Sequence, residues 1–431
     1  MDLKNLRVMI DTYNIRLIEG SGIASYGLTL IKALEALGAD VSALFDKRAS
    51  RIPELRAVLF FDAKEKTSRR LSGHLGLAVK ALRLLTWDSR PQEIEVNAFN
   101  SVIIDARYGG MPPAKKVYNL PECYELANTL FRVARLVTRI KLPGLVDIWH
   151  ATYPLPITMS KAKKVTTIHD LIPLKLPYTT LDNKEFFYRV LKDAVKKSDL
   201  IVTVSENTKR DIIEFFHPDE DKIAVTYQPI VQECLNHSES HANMTLQKYQ
   251  LKSKDYILFV GNVEPKKNVA RIIEAFASIQ TDISLVIVGR KAWMWKNQVG
   301  RAEALLGKTR YRRQLRLLDY VPRADIGILY ANALFFVFPS LYEGFGLPPL
   351  EAMYFDCPVI TSNTSSLPEV CGDAALYVDP YDVSDIRAKM ESLLSDESLR
   401  KDMAERGRKR VRFFSMENYQ RRLYEAYLRV I

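Results

Sequence analysis

The sequence predicts an α/β protein built from two Rossmann-like domains that face each other across a cleft. Three observations predict it. Short apolar runs of strand length alternate with helical segments through both halves of the chain. A polar stretch without a clear period, residues 230–254, separates the two alternating sets and reads as a linker. The length, 431 residues, exceeds the roughly 250–300 residues that one hydrophobic core spans. Apolar strands alternating with helices indicate parallel sheets covered on both faces. Ligands of such sheets bind outside the carboxyl ends of the strands, so with two domains the natural site is the cleft between them. The boundaries follow as residues 1–235 for the first domain and 250–414 for the second.

In the first half, LRVMID at 6–11 is an apolar run that ends in a polar loop, residues 12–25, containing Gly20 and Gly22. Residues 26–38, YGLTLIKALEALG, have helical apolar spacing and a glycine stop. VSALF at 41–45 is the next strand, completing a βαβ unit. Residues 46–100 carry many cations and amphipathic patches, such as LGLAVKALRLL at 75–85, and LFRVARLVTRIK at 130–141 repeats the style. Such basic amphipathic helices either lie on an anionic membrane or pack on the sheet with their cations in water. Strands are expected at 101–106, 147–151, 164–169, 200–204 and 223–227, with helices at 184–197 and 206–216.

The second set opens with the buried strand YILFVG at 256–261, a helix at 269–279 and the strand LVIVG at 285–289. Further strands are expected at 315–320, 334–338, 358–361 and 375–378. Near the end Ser415 is placed to cap a helix, with Asn418 at the third helical position.

Composition bounds the function. The chain is 47% hydrophobic and 26% charged, ordinary for a globular protein. No apolar run approaches the ~20 residues that span a bilayer. The opening MDLKNLRVMID lacks the features of a signal peptide, so a cytoplasmic protein is expected. Cys123, Cys234, Cys357 and Cys371 form no C-x-x-C pair and read as free buried thiols. Lys plus Arg exceeds Asp plus Glu by 62 to 51, a net charge of +11. That excess suits nucleic acid, an anionic membrane or an anionic small substrate. The cations are scattered and no nucleic-acid module is present, so no nucleic-acid partner is expected.

The chemistry concentrates in SLYEGFGLPPLEAM, residues 340–353. It follows the expected strand FFVF, so the loop lies at a strand's carboxyl end. Pro348 and Pro349 suit the first turn of a helix, where a missing N–H costs little. Gly344 and Gly346 remove side chains and let backbone amides approach a ligand. A helix N-terminus with free amides attracts an anion. Glu343 and Glu351 frame that anion site. A carboxylate repels phosphate, so their partners are expected to be hydroxyls. Phosphate plus hydroxyls means a sugar phosphate or nucleotide sugar. Lys267, unfavourable beside a helix start, would be explained by the same anion.

The nine residues EGFGLPPLE, from Glu343 to Glu351, resemble the E-x7-E motif of retaining glycosyltransferases of the GT-B fold, family 4 type. SSLPEV at 365–370, Asp379-Pro380 and FVGNVEPKKN at 259–268 resemble the same family. The resemblance covers the whole second half and, more weakly, the first. It implies that 1–235 binds the acceptor, that 250–414 binds the nucleotide sugar, and that 415–431 packs back on the first domain. It implies further that Glu351 bonds the ribose and Glu343 the donor sugar. The amides of Gly344, Phe345, Gly346 and Leu347 would hold sugar and diphosphate, and Lys267 would neutralise the leaving diphosphate. His169 would line the sugar site, and Gly20 and Gly22 would approach donor phosphate and acceptor. Many relatives carry an arginine directly after the glycine at 261, where this chain has Asn262. Lys266 or Arg290 is left to supply the second positive charge.

The pairing of this motif with GRKAWMW at 289–295 resembles bacterial mannosyltransferases of O-antigen or exopolysaccharide synthesis. The implied donor is GDP-mannose, with dTDP-rhamnose or a UDP-sugar as alternatives. The implied acceptor is a lipid-linked oligosaccharide or growing polysaccharide, with peripheral association at the cytoplasmic face of the inner membrane. No cofactor or metal is expected; Asp219-Glu220-Asp221 spells D-x-D but sits in a polar turn. His150, near another strand end, is either a core residue or a second site histidine. Two rivals remain. A nicotinamide-dependent oxidoreductase needs G-x-G-x-x-G, and GSGIAS at 20–25 ends in serine. A non-catalytic sugar- or nucleotide-binding protein would not need Glu343, Glu351, Lys267 and His169 together.

Overall fold

The computed structural model describes residues 2–15, 22–47, 60, 90–94, 114–142, 144–231 and 239–431. In the first domain the strands are β1 (Arg7–Asp11), β2 (Asp40–Phe45), β3 (Gln92–Ile94), β4 (Lys116–Asn119), β5 (Thr138–Ile140), β6 (Ile148–Ala151), β7 (Ile157–Met159), β8 (Lys163–Ile168), β9 (Leu200–Thr203) and β10 (Ile223–Val225). Its helices are α1 (Gly22–Ala36), α2 (Cys123–Ala134), α3 (Ile172–Lys175), α4 (Lys184–Lys197) and α5 (Glu206–Phe216). Eight strands form one sheet in the order β10-β9-β8-β6-β1-β2-β4-β3, parallel except for the edge strand β3. The interior strands β1, β6 and β9 are almost wholly buried, as expected for a parallel sheet covered on both faces.

The second domain begins with α6 (Glu239–Lys248), β11 (Tyr256–Val260), α7 (Val269–Ala277), β12 (Ser284–Val288), α8 (Trp295–Val299), α9 (Ala302–Gln314, broken at Gly307) and β13 (Leu315–Leu318). It continues with α10 (Arg323–Asn332), β14 (Phe335–Phe338), α11 (Leu347–Tyr354), β15 (Val359–Ser362), α12 (Leu367–Cys371), β16 (Ala375–Val378), α13 (Val383–Ser395) and α14 (Glu397–Val411). Its six strands run parallel in the order β13-β12-β11-β14-β15-β16. Counted within the domain this is 3-2-1-4-5-6, the doubly wound order whose switch point lies between the first and fourth strands, β11 and β14. In the first domain the order reverses between β1 and β6.

The last helix, α15 (Met416–Tyr427), returns to the first domain. The Ser415 hydroxyl accepts from the Asn418 amide and caps it. Tyr419, Leu423, Ala426 and Tyr427 are buried at helical spacing. The Tyr427 hydroxyl lies 2.6 Å from His150 Nδ1 on β6.

Two expectations are corrected. Residues 239–248, read as linker, form α6. Only Thr245 and Leu246 of that helix are buried, so its apolar stripe is too thin to show as a period. Residues 130–141, read as one basic helix, are the end of α2 followed by β5. Arg135 takes φ 59° and stops the helix, and β5 pairs with β7. The expected strand at 101–106 and the patch at 75–85 lie outside the described residues.

Candidate active site

The loop from β14 to α11 is fastened from behind. The Ser362 hydroxyl donates to the Ser340 carbonyl at 2.6 Å, and the Ser366 hydroxyl lies 2.9 and 2.6 Å from the carbonyls of Glu343 and Phe345. The Glu343 amide donates to Ser365 Oγ at 3.0 Å. The next four amides, Gly344 to Leu347, donate to no acceptor among the described residues. They stand at the N-terminus of α11, beside the switch point, where the helix dipole favours an anion.

Two glycines make this shape. Gly346 has φ 121°, a conformation that L side chains rarely adopt. Gly344 is set by contact: a Cβ there would lie 2.3 Å from the His169 carbonyl oxygen. The β14–α11 loop of the second domain therefore touches the end of β8 in the first.

At the end of β11, Pro265–Lys267 forms a 3-10 turn. Asn268 (φ 62°) locks it by donating from Nδ2 to the carbonyls of Pro339 and Pro380, at 3.0 and 2.6 Å. The turn gives the two lysines different partners: Lys266 Nζ lies 3.4 Å from Glu264 Oε1, while its charge is also felt at Glu343 and Asp170. Lys267 Nζ lies 2.5 Å from Glu343 Oε1 and 4.8 Å from the Phe338 ring centroid. The Ser340 hydroxyl donates to the same Oε1 at 2.5 Å. Burial alone raises the Glu343 carboxyl, but the charges of Lys267 and Lys266 outweigh it and hold the group below its usual range. Lys266 is half-buried, and its partial desolvation lowers it, yet Glu264, Glu343 and Asp170 together hold it above its usual value. The sequence leads one to expect hydroxyl partners for Glu343; the structure adds Lys267 as its counter-ion, which accounts for a lysine at that turn.

Glu351 is different. It has no ion pair among the described residues, and its one bond is a weak 3.4 Å contact from the Tyr330 hydroxyl. Burial pushes its carboxyl up, against the opposing pull of Arg323 and Tyr330. Such an under-satisfied carboxylate suits a ligand that brings hydroxyl donors. Gly261 closes β11 by donating its amide to the Val288 carbonyl, Asn262 is exposed, and the Arg290 carbonyl accepts from the Val263 amide. Gly20 lies outside the described residues, and Gly22 opens α1.

The facing wall is built on β1, β6 and β8. His169 follows β8, and its Nε2–H donates to the Thr152 carbonyl at 3.0 Å. The Tyr26 ring meets it edge-on with centroids 4.7 Å apart. Burial depresses the imidazole to about 4, only partly offset by the Thr152 bond, so it is neutral with Nδ1 as its remaining acceptor. Thr152 is held by Asp11 at the end of β1, which accepts from the Thr152 amide, from Thr152 Oγ1 at 3.1 Å and from the Tyr13 amide at 2.9 Å. His150 belongs to the core: it is fully buried, with Nδ1 on Tyr427 and Nε2 on Thr167 at 2.7 Å.

The structure thus brings Lys266, Lys267, Glu343 and Gly344 together with His169, and aligns the amides of 344–347 on one helix end. Reading the sequence missed Asn268, Asp11, Thr152 and the serines at 340 and 362. Each acts by a bond to a distant segment, and no local spacing announces it. In the D-x-D turn, Asp219 accepts from the Asp221 amide at 3.1 Å, an ordinary turn bond.

Comparison with known proteins agrees with this architecture. Residues 245–410 match the family described as Glycosyl transferases group 1, and residues 20–233 match Glycosyltransferase Family 4. The O-antigen chain mannosyltransferase B of Escherichia coli is 35% identical over 65% of this chain and 74% of its own length. The serotype-specific mannosyltransferase WbdA of Escherichia coli is 30% identical over 65% of this chain, a match that spans 35% of that longer protein. A glycosyltransferase from Rickettsia africae ESF-5 superposes with a TM-score of 0.62 at 18% identity, covering 99% of both chains. The chain belongs to the family 4 glycosyltransferases and has their GT-B fold.

Proposed function

We propose that this glycosyltransferase moves mannose from GDP-mannose to a lipid-linked or growing polysaccharide acceptor, with retention at the anomeric carbon. The observation that carries the reading is the set of four amides, Gly344 to Leu347, that have no acceptor among the described residues, near Lys266 and Lys267 and against His169. Those groups suit a diphosphate whose negative charge grows as its bond to the sugar breaks. Glu351 takes the ribose hydroxyls, Glu343 the sugar hydroxyls, and His169 Nδ1 accepts from the sugar across the cleft. The bond from the anomeric carbon to the diphosphate oxygen breaks, and the acceptor oxygen bonds the same carbon on the same face. The acceptor's proton passes to the departing phosphate oxygen, so no protein nucleophile takes part. The lysines and amides carry the charge that a metal would otherwise neutralise, so the reaction needs no metal. The choice of mannose is supported by the names of the relatives at 35% and 30% identity.

The acceptor side has a surface suited to an anionic bilayer. Residues 126–146 contain no acidic residue; Arg132, Arg135, Arg139 and Lys141 are exposed and form no ion pair among the described residues. Val133, Leu136 and Leu145 are exposed beside them, at 66, 57 and 65%. Cations add about 1 kcal/mol each at an anionic surface. This patch would hold the enzyme peripherally at the cytoplasmic face of the inner membrane. No helix among the described residues is long and apolar enough to cross it.

Thermal melting with GDP, UDP, dTDP and ADP, in EDTA, tests the donor, because a ligand of the folded state raises the midpoint by mass action. A shift with GDP alone, followed by GDP-mannose turnover that Glu351→Ala abolishes, is the expected result. A shift with UDP or dTDP alone overturns the donor, and a strict metal requirement overturns the charge assignment.

A further inference from the structure

Helix α5 begins at the cleft, and its first amides are shared between the two domains. Ser205 caps it within the first domain, accepting from the Thr208 amide at 3.0 Å. The Glu206 and Asn207 amides donate across the cleft to the Glu369 carboxylate of α12, at 2.6 and 3.0 Å. Arg410 fixes that acid's backbone, donating from Nε to the Val370 carbonyl at 2.8 Å and from Nη2 to the Glu369 carbonyl. The same turn of α5 reaches the site. The Ser205 hydroxyl lies 2.7 Å from the Gly344 carbonyl, and Thr208 Oγ1 lies 3.0 Å from the His169 carbonyl and 3.3 Å from that of Gly344. Nearby, Asn207 Nδ2 donates to the Tyr342 hydroxyl at 2.7 Å.

We propose that Glu369 is a positioning residue for glycosyl transfer: a helix cap supplied by the donor domain that seats α5, and through α5 aligns the Gly344 peptide against His169. A carboxylate on two first-turn amides is charge-assisted and favoured by the helix dipole. With the domains apart, those amides and Glu369 turn to water, and Gly344 loses the hydroxyls that orient its peptide plane. Glu369 touches neither amides 344–347 nor the lysines, so it acts on the relation of the two walls and not on nucleotide binding. The proposal rests on the glycosyltransferase assignment and not on the choice of GDP-mannose.

The test compares Glu369→Ala and Glu369→Gln with the natural enzyme. Nucleotide affinity is titrated with GDP, UDP and dTDP, turnover is measured with the matching sugar donor, and the separation of the domains is read by electron spin distance measurement. Spin labels go on Glu185→Cys and Ala388→Cys, both exposed, in a Cys234→Ser background. Glu369→Ala is expected to keep the nucleotide Kd within twofold, to lower kcat at least tenfold and to broaden the distance distribution. Glu369→Gln, which keeps one acceptor oxygen, is expected to fall between. Parallel losses in nucleotide affinity and kcat would mark a structural role and overturn the proposal. An unchanged distance distribution in Glu369→Ala would overturn it too. That readout needs no nucleotide, so it stands even if GDP, UDP and dTDP all fail to bind and the donor reading falls.

Discussion

Lys267 and Glu343 meet at 2.5 Å with side-chain exposures of 12 and 11%. A buried pair of this kind costs desolvation on both sides, and removing one partner leaves the other charge stranded. Lys267→Ala is therefore expected to lower unfolding stability by about 3–5 kcal/mol, and to reduce turnover by roughly 10²–10³-fold as a lost electrostatic contact to the leaving group. Restored stability in the Lys267→Ala, Glu343→Ala double variant, measured by urea unfolding, would show that the stranded carboxylate carried the cost. The histidines give a second residue-scale prediction. Burial depresses His169 to about 4, and burial with the His169 charge depresses His150 to about 3, each from an ordinary 6.5. Both contribute stability that is full above pH 6.5 and lost progressively as pH falls towards the folded values. Asp11 acts in the opposite sense. Burial, opposed by the Thr152 and Tyr13 bonds, raises it to about 6 from 3.8, so its contribution is present below 3.8 and lost as pH rises through 6. Between pH 7 and 5 the two histidines outweigh Asp11, and these three groups together should lower stability by about 2 kcal/mol. Titration of either imidazole near its ordinary 6.5, read by NMR, would show that the histidines are not held neutral.

At the scale of elements, the β14–α11 junction illustrates how a loop becomes a site. Its carbonyls and the Glu343 amide are tied to Ser362, Ser365 and Ser366, and the amides of Gly344 to Leu347 have no acceptor among the described residues. Gly344→Ala tests that fit. The added Cβ meets the backbone oxygen of His169 at 2.3 Å and Asp170 Cβ at 2.9 Å, and a backbone oxygen cannot rotate away. The two walls must part, which is expected to cost about 1–3 kcal/mol of stability and on the order of 10²-fold in turnover. Turnover within twofold of the natural enzyme would show that the contact between loop and strand end does not matter. This junction was legible in the sequence because strand, glycines, prolines and helix follow one another locally. The helices α4 (Lys184–Lys197) and α5 (Glu206–Phe216) were read with the bounds they have, since their stripes and caps are strong. By contrast α6 buries two side chains, and β5 exists only because β7 pairs with it. Neither carries a signal in its own residues. The same holds in the site: Glu343 and Glu351 announce themselves by the glycines and prolines between them, whereas Asp11 acts on His169 through Thr152, more than 100 residues away along the chain.

The whole molecule sets two switch points face to face, one between β1 and β6 and one between β11 and β14, and then ties the halves with the returning helix α15. Tyr227, Phe345 and Phe414 pack edge-on or tilted at the crossing, with centroids 5.6 to 6.3 Å apart. Beyond it α15 inserts Tyr427 against β6, where its hydroxyl bonds His150, which bonds Thr167, which lies 2.9 Å from the Tyr26 hydroxyl. The first domain therefore contains a buried polar chain whose last member belongs to the far end of the sequence. Tyr427→Phe keeps the ring and leaves His150 Nδ1 without a partner, an expected cost of about 1–3 kcal/mol. Tyr427→Ala also opens a cavity under α15, for about 3–5 kcal/mol. The larger change should act on one half only, because the six-stranded sheet of the second domain does not include this contact. Calorimetry of Tyr427→Ala is then expected to show the first domain melting ahead of the second, with the nucleotide-induced shift confined to the later transition. A single transition, displaced as a whole, would mean that the halves are coupled through the cleft contacts of α5 and Glu369 strongly enough to unfold together even when α15 is loosened.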